Sequence, residues 1–223
     1  MTHADPAVTY ASYLALDEVL GAQRPRSDEH DEHLFIVVHQ VYELWFKQLL
    51  HELAHLRARL EAGETSPALH TLGRVLAILK VAVAQIDVLE TMTPRQFSGF
   101  RARLDTASGF QSAQFREVEA VLGAPLWGSF LAYLATEGFA VGAGDVEDVL
   151  VAVYAADGGP AQVAERLVDL DEGLQEWRYR HVKMVERTIG DRLGTGGSSG
   201  AGYLRSTLFT PSFPALWSVR ARL

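Results

Sequence analysis

Histidines at three places in this chain have spacing or surroundings that could do chemistry. The most obvious is HELAH, running from His51 to His55. Two histidines four residues apart fall on one face of a helix, where they can hold a zinc ion with Glu52 as general base. The other two places are single histidines in apolar surroundings, His39 in LFIVVHQVYELWF and His181 in LQEWRYRHVKMVERTIG. An imidazole packed among apolar side chains must find a hydrogen-bond partner or be put to use.

Helical geometry separates the three. An α-helix turns about 100° per residue, so with Phe35 at zero, His39, Tyr42, Phe46, Leu49, Leu50, Leu53 and Leu56 fall within about 60° of it. On the same wheel His51 and His55 come out roughly 160° to 200° away, beside Lys47 and Gln48. HELAH is therefore expected on the solvated side, and no third zinc ligand follows at close spacing. His181 shares an apolar face with Leu174, Trp177, Met184, Val185 and Thr188. The chain has no cysteine, so disulfides, thiolate ligands and cysteine nucleophiles are excluded and any metal must sit on His, Asp or Glu. Two isolated histidines on apolar faces suit a haem pocket with one axial ligand and one polar group near its open side. The plain alternative, core histidines bonded to neighbours, remains open at this level.

The elements that must position these residues are helical, with almost no alternating strand pattern. After Pro25 and Ser27, residues 28 to 62 run without Gly or Pro until Gly63, which predicts one long helix. A second is expected from about Ser66 to Met92. Thr93-Pro94 should end it and open a third, PRQFSGFRARL, by N-cap and first-turn proline logic. The loop DTASG leads into QSAQFREVEAVLG. From about 123 to 163 the pattern weakens, with breaks at EGFAVGAGD and ADGGP around a helix near 146 to 155. A long helix is expected from Gln162 to Leu193, then the loop GTGGSSGAG and the tail FTPSFPALW. The predicted fold class is all-α, a bundle of long helices in a single domain over residues 1–223.

Composition sets the limits. With 223 residues, 48% hydrophobic and 22% charged, the chain can bury one good-sized core. A net charge of −8 argues against nucleic acid or an anionic membrane as partner, since both select a basic surface. The N-terminal residues lack the basic and apolar regions of a secretory signal, and the longest apolar runs are too short to span a bilayer, which makes the cytoplasm the expected location.

Three segments carry a resemblance: LFIVVHQVYELWFKQLLHEL, SGFQSAQFREVE and WRYRHVKMVERTIGDRLGTGGSSGAGYL, with TYASYLALDEVL before them and FPALW behind. In this order they are similar to the signature blocks of tryptophan 2,3-dioxygenases, over most of the chain outside roughly 123 to 163. The resemblance implies a helical homotetramer with haem b that opens the indole ring of L-tryptophan with O2 to give N-formyl-L-kynurenine. His181 matches the proximal iron ligand and His39 the distal histidine that accepts the indole N–H. Arg101 matches the arginine that holds the substrate carboxylate, a task suited to a planar fork, and Thr195 the threonine at the substrate's amino-acid end. Phe35, Phe97, Leu104, Ser108 and Gly109 match pocket-lining positions, Ser108 and Gly109 on the cofactor side. Tyr10 and Tyr13 match residues that reach into a neighbouring subunit's site. Read singly, Arg101 is also one of several charges beside Arg95 and Arg103, and GTGGSSG also reads as a flexible linker.

Two departures stand out. Phe97 occupies a position where some bacterial members carry tyrosine, and the stretch between QSAQFREVEAVLG and the His181 helix is shorter than the family's. The second keeps an alternative open, a related haem oxygenase acting on a substituted tryptophan or other indole. A zinc hydrolase built on HELAH is the distant third reading.

Overall fold

A computed structural model describes residues 7–140, 142, 145–195 and 201–223. Among them the ordered elements are helices: α1 Tyr10–Tyr13, α2 Leu16–Leu20, α3 His30–Glu61, α4 Thr65–Leu89, α5 Pro94–Arg101, α6 Ala113–Leu122, α7 Ala124–Thr136, α8 Val146–Ala156, α9 Gly159–Ile189, α10 Ala201–Ser206 and α11 Pro214–Ser218. The all-α expectation holds.

Helix α3 is the axis. Glu32 fixes its entry by accepting hydrogen bonds at 2.8 Å from the backbone N–H groups of both Arg26 and Ser27, and a third from the Ser27 hydroxyl. Asp31 and Glu32 also place negative charge in the first turn, where the helix dipole favours it. The helix then runs 32 residues, roughly 48 Å, and stops just before Gly63, which takes φ +72. Its buried face reads Val38, Tyr42, Phe46, Leu49, Leu53, Leu56 and Leu60, a continuous stripe at helical spacing. Removing a large apolar side chain of this kind from water stabilises the fold by roughly 1.5–3 kcal/mol.

Helices α4 and α9 pack against that stripe and each other. The Tyr42 hydroxyl donates to the Ala82 carbonyl at 2.8 Å, and Gln85 Nε2 donates to the Val38 carbonyl at 2.8 Å, so α3 and α4 are locked in register. Gly173 lets α9 approach α4: a Cβ there would lie 2.9 Å from Leu79 Cδ2. Helix α9 ends at Gly190 with φ +63. It starts three residues earlier and stops four earlier than the expected Gln162 to Leu193.

Other boundaries shift modestly. Thr93 accepts from Gln96 N–H while the Gln96 side chain accepts from Thr93 N–H, with Pro94 in the first turn, so α5 starts where expected. It gives way after Arg101 to a 3-10 turn, Ala102–Leu104. The short helices α1, α2 and α11 were not foreseen, nor were two further elements. Helix α7 fills part of the weak region, and α10 occupies the end of the expected GTGGSSGAG loop, of which residues 196–200 lie outside the described residues. Residues Ala113–Thr136 are long and apolar enough to cross a membrane by length and composition. Gly123, at ψ −128, instead divides them into α6 and α7, and both pack against α3.

The tail is strapped along α9. Asp171, buried, accepts from Ser212 N–H at 2.9 Å and from Trp217 Nε1 at 2.8 Å, and Gln175 Nε2 donates to the Thr210 carbonyl at 2.7 Å.

Candidate functional site

The apolar stripe of α3 puts His39 inside the fold, and the corresponding face of α9 brings His181 opposite. Both rings are half-buried and crowded by protein atoms. Burial, with a smaller contribution from the nearby His39, pushes the His181 imidazole down to about 4. Burial also lowers His39, against the opposing effects of its bond to Phe35 and the charge of Glu43. Both histidines are neutral at pH 7.

Their partners differ, and the difference decides their chemistry. His39 Nδ1 lies 2.7 Å from the Phe35 carbonyl oxygen one turn earlier. A carbonyl accepts only, so Nδ1 carries the proton and donates, which leaves Nε2 with a free lone pair. His39 is thereby a fixed acceptor. His181 makes no hydrogen bond to any described residue; it stacks on Trp177, one turn earlier, with ring centroids 5.1 Å apart and planes at 25°. A neutral imidazole without a hydrogen-bond partner among the described residues is in the state that metal ligation requires.

Aromatic rings form the wall beside His39. Phe35 lies 4.0 Å from the His39 ring, with Phe97 and Phe100 at 5.8 and 5.5 Å from Phe35. The capping box of α5 sets both rings and carries Arg101 at the helix end, where its Nη2 donates to the Leu193 carbonyl at 2.6 Å. That bond brings Arg101 to the segment of Thr195, which is half-buried. Leu104 is half-buried against the core.

The remaining expected residues sit further out. Ser108 caps the turn Gly109–Gln111, its hydroxyl accepting from Phe110 N–H at 3.4 Å. Gly109 is exposed, and a Cβ there would meet open space. Tyr10 and Tyr13, at 78% and 79% exposure on α1, take no part in this chain's own site.

HELAH builds no metal site. His51 and His55 are exposed as expected, but Glu52 is buried, which corrects the reading of the whole motif as solvated. Its carboxylate accepts from Arg74 Nη1 at 3.1 and 3.2 Å and from Gln48 Nε2 at 2.7 Å. Among the described residues no group of three or more His, Asp or Glu side chains could hold a metal ion.

Three contributors escape a residue-by-residue reading. Trp177 supports His181. Phe100 backs Phe35. Glu43 acts on His39 through its charge and is itself held by Gln114 Nε2, at 2.8 Å to the carboxylate and 3.0 Å to the carbonyl. Helical spacing alone gives the first and third: Trp177 precedes His181 by four residues and Glu43 follows His39 by four.

Comparison with known proteins converges on one family. The sequence profile of the tryptophan 2,3-dioxygenase family matches residues 2–126 and 146–223. A tryptophan 2,3-dioxygenase of Anaeromyxobacter sp. (strain K) is 61% identical over 256 aligned positions, covering 97% of each chain. Those of Herpetosiphon aurantiacus and Nocardioides sp. are 51% and 45% identical, again over 97% of this chain. Since 256 positions exceed the 223 residues present, at least 33 of them stand opposite gaps in this chain. The profile match is interrupted over 127–145, in α7 and the segment after it. Both helices that carry the histidine pair lie within the matched regions, and the chain belongs to the tryptophan 2,3-dioxygenase family.

Proposed function

We propose that the chain, acting as a single domain, binds haem b through His181 and opens the indole ring of L-tryptophan with O2, giving N-formyl-L-kynurenine. In that reaction the C2–C3 bond of the indole breaks and each carbon receives one oxygen atom. The observation that carries the reading is the division of labour between the two facing imidazoles. One has ring nitrogens with no hydrogen-bond partner among the described residues and is available to iron, and the other has a fixed proton on Nδ1 and a free lone pair on Nε2. The residues fit the group: His181 is a neutral ligand, and Trp177 stacked beneath it limits how the ring can turn.

Bound haem supplies the oxygen chemistry, as cofactors do in such enzymes, and the protein supplies position and exclusion of water. His39 Nε2 accepts the indole N–H and so sets which edge of the ring faces inward. It need not remove the proton. Arg101 takes the carboxylate with its planar donor fork, and Thr195 meets the amino-acid end. Phe35 and Phe97 exclude water from the ring, while Ser108 and Gly109 face the cofactor. Tyr10 and Tyr13 complete the site of a second copy in a homo-oligomer, a tetramer, which accounts for two tyrosines so exposed in the single chain.

The competing reading, one oxygen inserted into a substituted indole, drew its motive from the shortened stretch. That stretch lies at the opposite end of the bundle. Helix α7 is held to the far end of α3, where Arg57 Nε donates to Ser129 Oγ at 3.1 Å, Ser129 Oγ donates to Glu61 at 2.6 Å, and Tyr133 OH meets Thr65 Oγ1 at 2.7 Å. Arg57 is 18 residues beyond His39, roughly 27 Å along the axis. The shortening therefore gives no reason for a different indole.

Mass spectrometry of products formed from L-tryptophan under 18O2 tests the reading. The ring-opened product should carry two labelled atoms. One labelled atom in an intact indole would establish the competing reaction, and no labelled product from protein showing a haem Soret band would overturn both.

A further inference from the structure

Helices α3, α4, α6 and α9 leave a cavity of about 20 Å3 where they meet, lined by Phe46, Leu79, Phe115, Val118, Leu174 and Trp177 among others. No polar atom faces it. A water-sized molecule requires about 10–15 Å3 by this kind of measure, so the space admits one small molecule and nothing as large as an organic substrate. Water is disfavoured, since it would give up hydrogen bonds it cannot remake against carbon. An apolar diatomic loses nothing on entering and restores contacts that the facing side chains lack.

The location ties the cavity to the site. Trp177 lines it and also stacks on His181 at 5.1 Å, so one indole ring separates the two. Phe115, 4.9 Å from Trp177, and Phe46, 5.4 Å from Phe115, complete the aromatic side.

We infer that this cavity is a docking site for dioxygen, distinct from the place where O2 reacts. The chemical class, a small apolar gas, follows from size and lining alone; the choice of dioxygen rests on the proposed function. One gas molecule held behind Trp177 raises the local supply of the co-substrate beside the reaction centre.

Dissolved O2 is paramagnetic and reports its own location in solution. In methyl-labelled protein under O2 pressure, the Leu79, Leu174 and Val118 methyl groups should relax several-fold faster than those of Val83 and Leu89, which are no more deeply buried and do not line the cavity. Xenon-pressurised crystals should show one xenon atom between Phe46, Leu79, Leu174 and Trp177, with or without haem. Val75→Ile adds one methyl group to the lining, and should abolish both signals without lowering the unfolding temperature. Equal relaxation at cavity and control methyls, an ordered water in the space, or a large loss of stability in Val75→Ile would overturn the assignment. Neither measurement requires turnover, so a failed dioxygenase assay and a failed gas site are separate results.

Discussion

Arg101 Nη2 donates to the main-chain carbonyl of Leu193 at 2.6 Å, joining the end of α5 to a segment 92 residues further along the chain. Thr195 follows two residues later, so the side chain assigned to the substrate carboxylate also holds the foot of the segment assigned to the amino-acid end. A guanidinium has five donors in a fixed plane and can serve both.

Lysine in that place keeps the charge and loses the fork. Arg101→Lys should bind haem normally and lose roughly 1.5–3 kcal/mol of substrate interaction, about ten- to a hundredfold in kcat/KM for L-tryptophan. Tryptamine, which has no carboxylate, should be turned over almost equally by both proteins. An equal loss on both substrates would mean that the bond to Leu193 shapes the pocket and that Arg101 holds no carboxylate.

His181→Ala should remain helical by circular dichroism and lose stable haem binding. No cysteine is present, and the histidine that lies nearby among the described residues, His39, has its Nδ1 committed to Phe35. A five-coordinate histidine–haem spectrum in the variant would remove the axial assignment.

The HELAH residues should separate cleanly. His51→Ala with His55→Ala changes only exposed side chains, so stability should move by no more than about 0.5 kcal/mol and activity should persist. Glu52→Ala removes the acceptor for Arg74 and Gln48 and should cost about 1–3 kcal/mol. Thermal unfolding of the two variants checks this, and equal melting temperatures would contradict the buried ion pair.

Glu32 gives a pH signature. Burial pushes its carboxyl upward, but bonds from the Ser27 hydroxyl and the Arg26 and Ser27 N–H groups together outweigh it and hold the pKa below the ordinary 4.5. A depressed folded-state value adds stability at pH above 4.5, lost as pH falls from there through the folded value. Denaturant unfolding of the parent should show that loss, and Glu32→Gln should show less of it and be less stable at pH 7. Parallel pH profiles for the two proteins would exclude Glu32 as the anchor of α3.

Local pattern determined much of this molecule. The stripe from Val38 to Leu60 repeats at helical spacing within one segment, so it could be read without knowing what covers it, and it placed His39 inward and His51 and His55 outward. Thr93-Pro94 marked the start of α5 because a capping box is made by residues three apart. Helix α7 was hidden in the weakly patterned region after 123: Pro125 sits in its first turn, where the missing N–H costs no bond, and no Cβ contact crowds Gly128. Tertiary structure alone decided the fate of Glu52, since Arg74, 22 residues away on α4, turns a surface carboxylate into a buried one. It also decided that His39 Nδ1 is held by the Phe35 carbonyl while His181 stacks on Trp177 with no hydrogen bond to a described residue. Those outcomes depend on which helices meet and at what height, and pairings across 22 or 92 residues leave no periodic trace in the chain that makes them.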